Sequence, residues 1–238
     1  MATFVIVHGA WGGAWSWNRI VVPRLRSAGH EVHAVTLTGL GERAHLGTPN
    51  TNLDTHIEDV CNVLFYEDLH DVILAGHSYG GMVITGVADR MPERLAHLVY
   101  LDAAVPVDGQ SLADGWTPER RAELLDRAER EPDGWRMGRA QQPPNPPELA
   151  DWALARRVDH PLQTFIQPIR LTRGETTLPR TFVYCSADKE PGSPGALRAE
   201  KLKNDPRWHF VELPTRHNLM YHAPRETVEI LCSVAVEK

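Results

Sequence analysis

The chain has 238 residues, of which 42% are apolar and 24% charged, and its formal net charge is −6. These values are ordinary for a soluble globular protein and provide enough apolar residues for a sizeable core. The acidic balance argues against nucleic-acid binding, and no apolar run approaches the roughly 20 residues that a membrane-spanning helix needs. We therefore expect neither a nucleic-acid partner nor a membrane partner.

The three cysteines, Cys61, Cys185 and Cys232, lie far apart and form no Cys-x-x-Cys pair. An odd, scattered set of this kind is typical of reduced thiols rather than of a disulfide framework. The N-terminal residues lack the charged start, the apolar run and the small-residue cleavage site of a secretory signal. The sequence therefore predicts a cytoplasmic location.

Short apolar runs alternate with amphipathic segments along most of the chain. The runs are rich in Val, Ile and Leu, which is typical of strands buried on both faces; they lie at residues 3–7, 31–37, 71–75, 95–101, 180–185 and 208–213. Apolar residues with helical spacing occur at residues 57–64 and 228–235, and Pro224 suits the first turn of the second helix. This alternation predicts an α/β fold with a mostly parallel sheet and helices on both faces.

The alternation of strands and helices stops between residues 107 and 178. This stretch contains a charged helical run at residues 118–130, a second helical piece around 148–157, and between them a break with Pro143, Pro144, Pro146 and Pro147. The charged run is expected to be a solvated helix rather than a binding surface. We predict that the stretch forms a small, mainly helical cap, and that residues 1–106 and 179–238 form the core.

Residues 76–80 carry the pattern Gly-x-Ser-x-Gly with Ser78 at its centre. A predicted strand precedes the pattern, and a predicted helix at residues 79–91 follows it. A serine at such a sharp turn is held with its hydroxyl exposed, and the flanking glycines lack side chains that would clash there. The pattern and its context therefore predict that Ser78 is a nucleophile.

A serine nucleophile needs an adjacent base, and the base needs an acid that orients it. In enzymes with this serine turn, the acid and then the histidine follow along the chain. Asp188 and His217 stand in that order, each just past the end of a predicted strand, where the sites of open α/β sheets assemble. Asp102 follows another strand and is the second candidate for the acid, while His222 and His209 are weaker candidates for the base.

Acyl transfer places negative charge on the former carbonyl oxygen, and two main-chain N–H groups can stabilise that charge. We expect Tyr79, which follows the nucleophile, to supply one of them. We expect the other from the glycine-rich segment at residues 8–13, with Ala10 as the first choice and Trp11 in reserve. The side chain of Trp11 is also the candidate for contact with an apolar substrate.

Two other patterns are set aside. Residues 39–44 fit Gly-x-Gly-x-x-Ala, but Gly47 and Pro49 follow where a dinucleotide-binding motif requires a helix. The twelve histidines include no His-Glu-x-x-His or comparable set of metal ligands. The sequence therefore predicts no metal and no cofactor.

The segments at residues 7–11 and 76–82, the pair Val105-Pro106, and the late Asp188 and His217 together resemble a group of small α/β-hydrolases. That group includes plant methylesterases, plant hydroxynitrile lyases and bacterial EstC-like esterases. The resemblance covers nearly the whole chain and is weakest in the cap. It implies an α/β-hydrolase fold, chemistry without a cofactor on small esters with an apolar or aromatic part, and an oxyanion-hole N–H at Ala10.

Three departures from that group bear on the reaction. The best-known lyases carry lysine where this chain has Asn218, threonine where it has Gly9, and glutamate where it has His77. The resemblance therefore favours ester hydrolysis over cyanohydrin cleavage. His77 itself is expected to be structural.

The sequence thus predicts a carboxylic-ester hydrolase that acts through an acyl-enzyme on Ser78, with a small-molecule ester as its partner. A lyase or another non-hydrolytic reaction with the same residues is one alternative, and a slow-turnover ligand receptor is another. Turnover of an aryl ester separates the enzyme from the receptor, and cyanide release separates the lyase from the esterase. The oligomeric state stays open, with a homodimer as one candidate.

Overall fold

A six-stranded parallel sheet forms the centre of the computed structural model, which describes residues 1–139 and 146–236. The strands in chain order are β1 Thr3–Val7, β2 Glu31–Val35, β3 Val72–His77, β4 Leu95–Leu101, β5 Arg136–Met137, β6 His160–Pro161, β7 Arg180–Cys185 and β8 His209–Leu213. The central sheet has the order β2-β1-β3-β4-β7-β8, and every neighbouring pair in it is parallel. This confirms the predicted parallel sheet, although β2 ends at residue 35 rather than 37 and β3 continues to residue 77 rather than 75.

Helices fill the connections between the strands. They are α1 Trp15–Asn18, α2 Val21–Ser27, α3 Leu53–Tyr66, α4 Gly80–Arg90, α5 Pro118–Arg130, α6 Pro147–Leu154, α7 Gln163–Ile166, α8 Pro194–Lys203, α9 Leu219–His222 and α10 Pro224–Val236. Pro224 is the first residue of α10, as predicted, because the N–H that proline lacks has no partner in a first turn. In the described ranges, no helix is long and apolar enough to cross a membrane.

The sheet buries both of its faces, because successive side chains of a strand point to opposite sides. In β1, Phe4 and Ile6 pack on the face that α2 and α10 cover, whereas Val5 and Val7 pack on the face that α3 and α4 cover. All four side chains are fully buried. The short apolar runs of the sequence are therefore runs of core residues, and the carboxyl ends of the strands share one edge.

The connection from β4 to β7 contains residues 107–178, which we call the cap segment. It holds α5, α6, α7 and the antiparallel pair β5–β6. Only Leu124 of α5 is buried, in agreement with the predicted solvated helix, and α6 ends at Leu154, before the predicted end at residue 157. Pro143 and Pro144 of the predicted break lie outside the described residues, and the division of the chain into a core and a cap stays a prediction.

Helix α4 approaches the chain after β4 so closely that position 81 has no room for a side chain. A Cβ on Gly81 would overlap the carbonyl group of Ala104, which is main chain and cannot move aside alone. A Cβ on Gly86 would instead meet the flexible end of the Ile57 side chain, and a Cβ on Gly115 would meet nothing within 4 Å. The space available for a Cβ therefore increases from Gly81 through Gly86 to Gly115.

We expect Gly81→Ala to lower the free energy of unfolding by about 3 kcal/mol or more, at or above the upper end of ordinary overpacking costs. Gly86→Ala should lower it less, because a side chain can rearrange. Gly115→Ala should change it by less than about 0.5 kcal/mol. Urea unfolding of the three variants measures the order, and a Gly81→Ala variant as stable as Gly115→Ala would contradict the close approach.

Candidate active site

Ser78 lies at the turn between β3 and α4 with a left-handed backbone φ of 54°. This conformation costs a non-glycine residue about 1–3 kcal/mol and persists only where the surroundings hold it. Here the Ser78 N–H donates to the Leu101 carbonyl at 3.2 Å, and the Ser78 carbonyl accepts the Ala104 N–H at 2.9 Å. Two main-chain bonds therefore tie the serine turn to the end of β4.

The glycines on either side of Ser78 are required by close backbone approaches. A Cβ on Gly76 would lie 2.7 Å from the Gly80 carbonyl oxygen, and a Cβ on Gly80 would lie 2.8 Å from the Val7 carbonyl oxygen. Both distances are too short for a real side-chain carbon. The structure therefore confirms the predicted strand–turn–helix context of residues 76–80 and explains the spacing of the pattern.

His217 lies between β8 and α9, and its ring is hydrogen-bonded to Asp102. The distance from Nδ1 to Oδ2 is 2.5 Å, and the Asp102 side chain is 6% exposed. Asp102 directly follows β4 with a left-handed φ of 46°, and its N–H donates to the Val183 carbonyl at 2.8 Å. Because Ser78 is bonded to residues 101 and 104, Asp102 is held beside the serine turn.

The carboxylate that the sequence ranked first, Asp188, contacts the main chain of His217 rather than its ring. Its Oδ2 accepts the His217 N–H at 3.1 Å. The structure therefore places Asp102, the second candidate of the sequence, against the ring, and Asp188, the first candidate, against the main chain. The physical reason is that β4 and β7 are neighbours, so both carboxylates reach the same edge of the sheet. The backbone turn at Asp102 then decides which one meets the ring.

Lys189, which the sequence analysis missed, forms an ion pair with the Asp102 carboxylate. Its Nζ lies 2.8 Å from Asp102 Oδ2 and 3.6 Å from Asp188 Oδ1. Burial by itself would raise the pKa of Asp102, but the hydrogen bond from His217 and the charges of His217 and Lys189 hold that pKa below its usual value. Burial acts to lower the pKa of Lys189, yet Asp102 raises it above its usual value. Asp102 is thus an anion shared between His217 and Lys189.

His77, which precedes the serine, braces the loop that carries His217. Its Nε2–H donates to the His217 carbonyl at 2.9 Å, and the two ring centroids are 4.7 Å apart. Burial lowers the pKa of His77 to about 3, so the ring is neutral. This contact supports the structural role that the sequence predicted for His77.

The loop after β1 brings Gly9 and Ala10 to the cavity that Ser78 also lines. His8 fixes this loop from behind. Its Nε2 accepts the Leu37 N–H at 3.2 Å, so Nδ1 carries the proton and donates to the Gly9 carbonyl at 2.7 Å. Burial lowers the pKa of His8 to about 4, which keeps the ring neutral.

Trp11 turns toward the cap segment instead of the cavity. Its φ is 59°, its N–H donates to His160 Nδ1 at 3.1 Å, and its Nε1–H donates to the Met137 carbonyl at 3.1 Å. Because the main-chain N–H of Trp11 already donates to His160, it is not available as the reserve oxyanion donor. Ala10 is then the candidate in this loop. Among the described residues that line the cavity Trp11 is not found, so the substrate contact predicted for its side chain has no support there.

Two more neutral histidines are buried where the cap segment meets the core, His56 of α3 and His160 of the cap segment itself. His56 donates from Nε2 to the Thr38 carbonyl at 2.8 Å, so its Nδ1 accepts the Tyr79 hydroxyl at 2.9 Å. His160 accepts at Nδ1, as described, and its Nε2–H donates to Thr164 Oγ1 at 2.8 Å. Burial lowers the pKa of His56 to about 3 and that of His160 well below its usual value. Each ring therefore has one tautomer and links two segments.

The cavity beside Ser78 has a volume of about 40 Å³, room for about three water molecules. Besides Ser78, His217 and the glycine-rich loop, it is lined by Asn218, one of the departures from the lyases, and by three polar side chains that the sequence analysis did not single out: Ser16, Arg157 and Tyr221. A larger groove of about 450 Å³ runs along β2 and contains none of these residues. Within residues 1–139 and 146–236, no three His, Cys, Asp or Glu side chains are grouped so that they could hold a metal ion.

Comparisons with known proteins bear on the family and on the fold. The sequence model of the alpha/beta hydrolase family matches residues 4–230. A carbendazim hydrolyzing esterase from Nocardioides sp. (strain SG-4G) is 41% identical over 245 residues, which cover 98% of this chain and 100% of that protein. Methylesterase 1 of Arabidopsis thaliana is 26% identical over 98% of this chain and 95% of its own length. An extracellular alpha/beta-hydrolase from a Paenibacillus species has the same fold, with a TM-score of 0.79 at 23% identity over 98% of each chain.

We expect the four buried histidines, His8, His56, His77 and His160, to make the fold sensitive to acid. In the unfolded chain they take up protons near pH 6.5, whereas burial holds their folded pKa values far lower. Stability is therefore fully present above pH 6.5 and falls as pH drops toward 4. Below the unfolded pKa each histidine contributes about 1.4 kcal/mol per pH unit, so the four together approach a slope of about 5.5 kcal/mol per unit.

Urea unfolding between pH 7.5 and 5 measures this slope. Replacing one buried ring, as in His160→Gln, should reduce it by about one quarter. The exposed His45 provides the matched control, because His45→Gln should leave the slope unchanged. A stability that stays constant from pH 7 to 5 would show that these rings are not held neutral.

Proposed function

This chain belongs to the alpha/beta hydrolase family, and we propose that it is a serine esterase in which Ser78 is the nucleophile, His217 the base and Asp102 the acid. That it is an esterase-type hydrolase follows from the family and from the full-length likeness to an esterase. One observation carries the assignment of the residues. Ser78, in its strained turn, lines the same cavity as His217, and Nδ1 of His217 is hydrogen-bonded to the buried carboxylate of Asp102.

The bond between His217 and Asp102 decides which ring nitrogen acts as the base. Because Nδ1 donates its proton to Asp102, the neutral ring carries no proton on Nε2. Nε2 then takes the hydroxyl proton as Ser78 Oγ attacks the ester carbonyl, and it passes that proton to the leaving alcohol. Asp102 stabilises the imidazolium formed between these steps, and water then hydrolyses the acyl-enzyme by the same route.

The negative charge on the carbonyl oxygen is stabilised by two main-chain N–H donors, those of Ala10 and Tyr79. In the described main chain neither N–H donates to a backbone carbonyl, and both residues adjoin Ser78 or its cavity. One such fixed donor is worth about 3 kcal/mol of transition-state stabilisation. The bonds that His8 makes behind Gly9 support this role, because a donor must already be in place when the charge develops.

Small carboxylic esters with an apolar or aromatic part are the substrate class that we assign. The cavity beside Ser78 adjoins the cap segment, since Arg157 of that segment is part of its lining. That side holds an aromatic cluster in which the Phe165 ring stacks on Tyr79 at 5.4 Å and on Trp116 at 5.8 Å. The names of two relatives, a carbendazim hydrolyzing esterase and a methylesterase, support a small ester as the substrate.

The nucleophile is tested by Ser78→Ala. We expect a fluorophosphonate probe to label the wild-type protein and not this variant, and steady-state hydrolysis of p-nitrophenyl acetate to fall by about 10³-fold or more. Ser27→Ala, at an exposed serine, is the control and should label and turn over like the wild type. Labelling of a folded Ser78→Ala variant would refute the assignment, and labelling without turnover would point to a receptor.

The acid is tested by comparing Asp102→Asn with Asp188→Asn. An amide at the acid position favours the wrong tautomer of the histidine, so we expect Asp102→Asn to lower kcat/KM by about 10³- to 10⁴-fold. Asp188→Asn removes a negative charge 3.6 Å from Lys189 but keeps an oxygen that can accept the His217 N–H, so it should cost about tenfold or less. Thermal unfolding of both variants controls for loss of fold. A larger loss in Asp188→Asn would restore the order that the sequence predicted.

A further inference from the structure

The cavity beside Ser78 has a positively charged residue in its lining and no acidic one among the described residues. The charged residue is the guanidinium-bearing Arg157. Arg157 follows α6 in the cap segment, where its N–H donates to the Leu154 carbonyl at 3.3 Å. A cationic wall is unexpected in a chain whose net charge is −6, and it lies in the same small cavity as the proposed nucleophile.

Tyr221 of α9 lines the same cavity and adds a hydrogen-bond donor to that wall. Its side chain is 7% exposed, and its buried hydroxyl makes no hydrogen bond of normal geometry within the described residues, although Ser16 lies close by. Burial raises the pKa of Tyr221, so the hydroxyl keeps its proton and can donate it. The charges that act most strongly on this hydroxyl are all positive and come from Arg157, Arg19 and Arg156.

Two of these arginines are held in place by one tryptophan. The guanidinium carbons of Arg19 and Arg156 lie 4.5 and 4.6 Å from the centroid of Trp152. The Trp152 ring in turn packs edge-on against Tyr221, with centroids 6.3 Å apart. Positive charge is therefore concentrated around the buried hydroxyl, and the aromatic packing keeps it there.

We propose that Arg157 and Tyr221 form a subsite for a carboxylate group of the substrate, so that the preferred esters carry a second, ionised carboxyl group. A guanidinium matches a carboxylate with two parallel N–H bonds, and a low-dielectric cavity strengthens that pairing. This inference rests on the proposed esterase function and specifies its substrate class.

Matched pairs of esters test the subsite. Mono-p-nitrophenyl glutarate and p-nitrophenyl valerate differ in a carboxylate on the acyl side, and 4-acetoxybenzoate and phenyl acetate differ in one on the alcohol side. We expect the wild type to favour the charged ester of at least one pair by about tenfold or more in kcat/KM. Arg157→Met should reduce that preference by about 10- to 100-fold, and Arg157→Lys should retain part of it.

Hydrolysis of the neutral ester by Arg157→Met shows that the variant is folded. Arg170→Met removes the same charge from an exposed position of the cap segment and should change the preference by less than threefold. Calorimetry with the Ser78→Ala protein and the charged ester should show binding that Arg157→Met abolishes. If neutral esters are hydrolysed and Arg157→Met leaves the preference unchanged, the subsite is refuted while the esterase stands; if the wild type hydrolyses no ester, both proposals fall.

Discussion

Two main-chain hydrogen bonds at Ser78 determine where the rest of the site lies. They join the strained serine turn to Leu101 and Ala104, so Asp102, one of the two residues between them, is brought to the turn with no further loop. The same approach leaves no space for a side chain at Gly81. A left-handed backbone at the serine is therefore part of a wider arrangement, because the contacts that hold the strain also deliver the carboxylate that binds His217.

Neutral imidazoles hold the loops around this turn. An uncharged histidine has one donor and one acceptor, so a buried ring can join two segments that are far apart in sequence. His8 joins the loop after β1 to Leu37, His77 joins the serine turn to the His217 loop, and His160 joins the cap segment to Trp11. A charged ring would lose its acceptor. Desolvation therefore preserves these links, because burial disfavours the protonated form.

The sequence located the serine turn and the histidine because both depend on local signals. The glycines of residues 76–80 form a recognisable local pattern, although Gly80 is required by a contact with the distant Val7 carbonyl, and strand ends are visible as the ends of apolar runs. The sequence could not separate Asp102 from Asp188, because neighbouring parallel strands bring both to one edge and only the backbone turn at residue 102 places one of them against the His217 ring. Lys189 carried no signal except its place beside Asp188.

The cap segment was the least predictable part, because its contacts come from single residues that do not repeat with the spacing of a helix or a strand. Trp11 illustrates this, since the orientation of its ring and N–H is fixed by Met137 and His160, which are more than 120 residues away. Arg157 was missed for the same reason. It lies in an irregular turn, and nothing in the nearby residues indicates that it reaches the serine cavity.

Arg157 and His160 are three residues apart, and this spacing couples specificity to catalysis. His160 accepts the N–H of Trp11, which directly follows Ala10, while Arg157 lines the cavity that Ala10 and Ser78 share. A displacement of residues 157–160 would therefore change both the lining of the cavity and the support of the loop that carries the proposed oxyanion donor. Substitutions near Arg157 that widen the cavity should thus affect turnover as well as binding, because the same short stretch of chain holds both.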